Sequence, residues 1–148
     1  MQAVGDIEEI QYVPTIFTSF NRAVEIGGAP LGRVWVVHGP NAAGKSIYAV
    51  GIIESFARLE HLGVYYDSEW ATDRKWLVDQ LRLTRSCGYR TPMNIEQVIN
   101  ELDDMLVNVA EGYRKKKLAA DKRLCVVIDT ITKLVPARQL KTFMEGAA

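Results

Sequence analysis

The residues able to do chemistry form three groups. The first is Gly39-Pro40-Asn41-Ala42-Ala43-Gly44-Lys45-Ser46, which fits the spacing G-x-x-x-x-G-K-[ST]. Glycines let the backbone curl so that successive N–H groups aim at one anion. A helix opening near Gly44 adds the positive end of its dipole. In such a loop the lysine, here Lys45, reaches the β- and γ-phosphates of a nucleotide, and the hydroxyl, here Ser46, suits Mg2+. The plainer alternative is a glycine-rich turn with a solvated lysine.

The second and third groups are acidic. Asp129 ends the apolar run Leu124-Cys125-Val126-Val127-Ile128. A strand there carries its carboxylate to the sheet edge where open α/β sheets bind ligands. It is the natural second acid for the metal, holding Mg2+ through water. The alternative is an aspartate that caps the next turn. Asp67 and Glu69 follow the run Gly63-Val64-Tyr65-Tyr66. Hydrolysis needs a group that positions or deprotonates water. Glu69, just past the strand end, suits that role, and Asp67 suits fixing the loop. A surface salt bridge is the competing use of Glu69.

These groups need elements to hold them. Arg33 to His38 is β-branched and aromatic and reads as a strand buried on both faces. Lys45 to Glu60 reads as a helix, with Ile47, Val50, Ile53, Phe56 and Ala57 at three- and four-residue steps. Residues 63–67 and 124–129 read as two further strands. Asp73 to Leu83 reads as a helix, and Ser86 to Met93 as irregular chain or a short edge strand. Asn94 opens the clearest helix: it is an N-cap residue, and Gln97 occupies the capping-box position. Ile95, Val98, Ile99, Leu102, Leu106, Val109 and Tyr113 trace one apolar stripe. Phe17 to Arg22 is a short helix candidate, followed by breakers from Gly27 to Gly32. Strands separated by helices give an α/β fold with a mostly parallel sheet.

The 148 residues are 48% apolar and 24% charged, with 18 basic and 18 acidic side chains. This excludes a disordered tail, a collagen-like fibre and a disulfide scaffold. No bulk charge points to a partner, so any nucleic-acid contact must be local. Six basic residues lie between Arg114 and Arg123; they read as a solvated helix end and connector rather than a phosphate-backbone contact. Asp103 and Asp104 read as a solvated helix face. Cys87 and Cys125 show no metal or disulfide spacing, which fits a reducing cytoplasm. The first 14 residues lack an apolar leader core and are expected to lie loosely on the surface as an N-terminal extension. No stretch is long enough for a membrane span.

The segment GGAPLGR followed by VWVVHGPNAAGKS resembles the entry to the RecA recombinase core. YYDSEWATD resembles the segment that carries the family's catalytic glutamate, and VVIDTITKLVP resembles its Walker B strand. Trp70 and the KLVP ending look more like phage-encoded relatives than cellular ones. The resemblance runs from Pro14 to Pro136. It implies a three-layer α/β/α P-loop NTPase fold with a partial ATP-binding core over residues 15–148. It implies ATP and Mg2+ as cofactors: Lys45 and Ser46 bind phosphate and metal, Asp129 is the Walker B acid, and Glu69 activates water. Asp73 matches an aspartate near the adenine amino group, and Trp76 matches an aromatic that stacks on adenine. For Trp76 an ordinary core contact is the alternative.

The family's two DNA-binding loops, its γ-phosphate-sensing glutamine and one sheet strand follow Walker B, beyond these residues. The resemblance therefore implies an incomplete central sheet, exposed strand edges and a marginal or aggregation-prone monomer. Three functions compete. The first is a DNA-stimulated ATPase of recombination and repair, with single-stranded DNA and self-association into filaments for the full-length protein. The second is another RecA-fold ATPase, such as a helicase or signalling ATPase. The third is a nucleotide-binding module without turnover. The place of action in each case is the cytoplasm of a bacterial or phage-infected cell.

Overall fold

A computed structural model describes residues 10–70, 73, 75 and 87–146. The fold is α/β. Three parallel strands form the main sheet: β3 (Leu62–Asp67), β4 (Cys87–Arg90) and β5 (Leu124–Asp129), in the order β4-β3-β5. The register pairs Tyr65 with both Tyr89 and Val127, and Asp67 with Asp129. A small antiparallel pair, β1 (Tyr12–Val13) with β2 (Ala29–Pro30), lies outside it. The helices are α1 (Thr18–Ala23), α2 (Lys45–Arg58), α3 (Ile95–Arg114) and α4 (Ala137–Gly146), with a 3-10 turn at Ile131–Lys133.

Strand alternation assigns the two faces of the sheet. Tyr65, Cys125, Val127 and Tyr89 pack with Val50, Ile53 and Phe56 of α2. Val64, Tyr66 and Ile128 pack with Val98, Leu102 and Met105 of α3. Tyr65 and Tyr66 thus serve opposite faces, and both are buried. α3 starts as its sequence requires: Asn94 Oδ1 accepts the Gln97 N–H at 2.8 Å, and Gln97 Oε1 accepts the Met93 N–H at 3.1 Å. Its apolar stripe is covered only in part, since Ile99 and Leu106 are both 57% exposed.

Two expectations need correction. Residues 33–38 pair with no strand among the described residues. Trp35 packs against the α2-side core, but Val34 is 95% exposed and Val36 is 83% exposed. His38 is exposed rather than packed. The run has strand-forming side chains but no neighbour for its backbone N–H and C=O groups, and a strand exists only as part of a ladder. The second correction concerns the start of the chain, where Val13 is 3% exposed and belongs to the core. Its carbonyl lies so close to Gly28 that a Cβ there would meet it at 2.3 Å, which explains that glycine. Ser86 to Met93 does contain an edge strand, β4. The helix expected over Asp73 to Leu83 falls mostly outside the described residues.

The connection between α2 and β3 fixes the site's geometry. The chain turns back over residues 59–61, where the Glu60 N–H donates to Ala57 O and the His61 N–H to Phe56 O. α2 therefore runs against β3 and packs on both β3 and β5. A helix of 14 residues spans about 21 Å and a strand of six about 20 Å. The start of α2 thus comes level with the carboxyl ends of the strands.

Candidate functional site

The loop before α2 is curled by two left-handed residues, Ala42 (φ 60°) and Gly44 (φ 85°). Gly44 is the N-cap of α2 and has no side chain to satisfy the first helical N–H groups. Those donors stay directed into the loop, as anion binding requires. Lys45 bends back over the same loop, its Nζ donating to Gly39 O at 3.2 Å and Pro40 O at 2.9 Å. Residues Ala42 to Ile47 line a concavity of about 220 Å3 that contains Gly44, Lys45 and Ser46. Backbone donors, an ammonium group and a hydroxyl around one small hollow fit a phosphate group with its metal.

The acids stand on the strand ends. Alternation from Cys125 and Val127 puts Asp129 on the α2 face of β5. The Tyr65 hydroxyl donates to Asp129 Oδ2 at 2.6 Å, and the Thr130 hydroxyl donates to Oδ1 at 3.0 Å. The turn beyond is tied to β3 from both sides. Ser68 N donates to Asp129 O at 2.9 Å, Ser68 Oγ donates to Thr130 O at 2.5 Å, and Thr130 N donates to Ser68 Oγ at 2.8 Å. The Asp129–Thr130 peptide is cis.

Asp67 is 2% exposed and does what the sequence suggested for it. Its Oδ1 accepts the Glu69 N–H at 3.1 Å, which bends the chain just before the glutamate. Its Oδ2 accepts the Tyr89 hydroxyl at 2.9 Å. Glu69 itself is exposed at the strand end. Asp73 is exposed and accepts the Lys75 N–H at 2.8 Å, a local turn. Trp76 lies outside the described residues.

Sequence reasoning places Tyr65 and Tyr66 on opposite faces of the sheet but misses the hydrogen bonds that Tyr65 and Tyr89 make to the aspartates. Tyr65 and Tyr89 stack with ring centroids 6.3 Å apart and planes 11° apart. Each donates to the aspartate on the next strand, two residues further along the register. The signal was a Tyr-x-Asp spacing in β3, but seeing its use requires the strand order.

The discounted features behave as ordinary surface or core. Lys115 and Arg114 pair with Glu111, and Lys122 pairs with Glu60. Burial, helped by nearby Cys87, pushes the Cys125 thiol up to about 12, which disfavours the reactive thiolate. Among the described residues no group of three His, Cys, Asp or Glu side chains could hold a metal alone. A larger hollow of about 690 Å3 runs along α3 beside Arg90, Glu101 and Asp104, and contains none of the expected site residues. No helix of the described residues is long and apolar enough to cross a membrane.

The model of the RecA N-terminal domain matches residues 2–147. The chain belongs to the RecA N-terminal domain family. Relatives named Protein RecA include those of Bifidobacterium breve, 30% identical, and Bifidobacterium longum, 31% identical. That of Bacteroides thetaiotaomicron is 27% identical. Each match covers 93% of this chain but only 33%, 32% and 39% of the respective relative. The chain thus spans about a third of the length of these RecA proteins.

Proposed function

We propose that this RecA-family chain binds ATP with Mg2+ at the carboxyl edge of its sheet, as part of a P-loop NTPase core of three α/β/α layers. In this reading the ATP-binding core occupies residues 15–148, and residues 1–14 are an extension whose Val13 is packed into it. Loop 39–46 grips the triphosphate through its N–H groups, and Lys45 leaves the Gly39 and Pro40 carbonyls for phosphate oxygens. Ser46 and Asp129 hold the metal, Asp129 through water. The bound metal neutralises charge on the phosphates. Glu69, set by its N–H bond to Asp67, orients the attacking water. Asp73 and Trp76 receive the adenine.

One observation carries this reading. Asp129 ends β5 on the face of the sheet that α2 covers, and the matched lengths of α2 and β3 argue that α2 begins near the same edge. Family membership supports the wider role: a DNA-dependent ATPase of homologous recombination and repair, working on single-stranded DNA in filaments in a bacterial or phage-infected cytoplasm. The exposed valines of residues 34 and 36 support a sheet that is completed by further sequence. The experiment is titration with fluorescent ATP, with and without Mg2+ and single-stranded DNA, followed by phosphate release. Binding that Lys45→Ala weakens about 100-fold, and hydrolysis that Glu69→Gln removes while binding is retained, is the expected result. No binding by the unmodified chain overturns the reading, and binding without turnover under every condition reduces it to a nucleotide-binding module.

A further inference from the structure

The two stacked tyrosines repeat one contact across the sheet. Tyr89 on β4 donates to Asp67 on β3, and Tyr65 on β3 donates to Asp129 on β5. Both contacts are diagonal, because Tyr65 faces Val127 while Asp67 faces Asp129 in the register. Asp67 and Asp129 are therefore adjacent, on one face, each with an oxygen taken by a phenol. A carboxylate at the end of an edge strand could rotate about χ2. Here the 2.6 Å bond from a tyrosine that is 1% exposed removes that freedom. The Thr130 hydroxyl on the other oxygen fixes the carboxylate plane.

We infer that Tyr65 is a positioning residue that sets the Asp129 carboxylate for the hydration shell of the metal, while Tyr89 serves Asp67 and the Glu69 turn. This rests on the reading of the site as an ATP·Mg2+ site and assigns it a part beyond the loop and the acids. The physical basis is general: groups that orient a metal-facing carboxylate commonly change metal affinity when removed, without touching the metal. A ring that only filled the core would leave the metal dependence untouched if its hydroxyl were removed.

The test separates metal from nucleotide. Fluorescent ATP binding is measured against Mg2+ concentration in the unmodified chain, Tyr65→Phe, Tyr89→Phe and Asp129→Asn. Tyr65→Phe keeps the ring and should raise the Mg2+ requirement roughly tenfold while leaving metal-free ATP affinity unchanged. Tyr89→Phe should leave the Mg2+ requirement as it is. In the Asp129→Asn background Tyr65→Phe should add nothing. If the unmodified chain binds ATP in an Mg2+-dependent way and Tyr65→Phe matches it, this inference falls and the site reading stands. If the unmodified chain binds no ATP, both fall. Should Tyr65→Phe not fold, the intact chain labelled with 3-fluorotyrosine gives the second readout. One of its six tyrosine signals should shift when Mg2+ is added at saturating ATP, and six unmoved signals would overturn the inference.

Discussion

Residues 33–38 and residues 62–67 carry similar side chains and meet opposite fates. Both are short apolar runs that end near a site residue. Val64 is 1% exposed, whereas Val36 is 83% exposed. The difference lies in their neighbours. β3 has a parallel partner on each side and a helix on each face. Residues 33–38 have Trp35 against the core and no ladder among the described residues. Apolar side chains do not make a strand stable; paired backbone and two covered faces do. The candidate site inherits this contrast, with acids fixed by hydrogen bonds on β3 and β5 and the 39–46 loop held mainly by its own lysine.

Substitutions can break or sharpen that contrast. The largest effect is expected at the loop. Lys45→Ala should weaken ATP binding about 100-fold, which is about 2.7 kcal/mol, because it removes the loop's cation. Its melting temperature should not change, since among the described residues the ammonium bonds two carbonyls of its own exposed loop. Calorimetric titration and a thermal melt check both halves.

The matched valines come next. Val64→Ala should cost about 2 kcal/mol by urea unfolding, through lost burial and the cavity left behind. Val36→Ala should stay within about 0.5 kcal/mol of the unmodified chain. Equal costs would mean that residues 33–38 are covered in solution. Ser68→Ala should cost about 1 kcal/mol, because Ser68 Oγ both donates to and accepts from the Thr130 backbone. The same unfolding assay reads it.

The smallest effect concerns His61 at the turn into β3. Burial first, then Lys122 and Arg123, lowers its pKa from 6.5, against an opposing effect of Asp121. The folded chain therefore favours the neutral ring. The associated stability is complete above the unfolded value and is lost as the pH falls from there through the lower folded value. Melts at pH 7.5 and 5.5 should show a drop on acidification that His61→Phe reduces.

Much of this was legible from residue order. The capped helix after Asn94, the strands over residues 62–67 and 124–129 and the helix from Lys45 all follow local rules of period, capping and breakers. The loop spacing and the acid ending a strand identified most candidate site residues. Asp67 was correctly read as fixing its loop, because an aspartate two residues before Glu69 can accept that residue's N–H. What could not be read locally depends on register and neighbours. Tyr65 reaches Asp129 only because β5 lies beside β3 in one particular alignment. Residues 33–38 matched every local strand rule, yet their state depends on what lies next to them.

In the proposed site one divalent ion stands between Ser46 and Asp129 when ATP is bound. Mn2+ in place of Mg2+ tests it by paramagnetic broadening of backbone amide signals in the presence of ATP. Selective loss of the Lys45, Ser46, Asp129 and Thr130 signals, with Leu106 and Val107 on α3 left sharp, is the predicted result. Broadening centred on Asp103 and Asp104, with the signals at 45–46 and 129–130 intact, would contradict it.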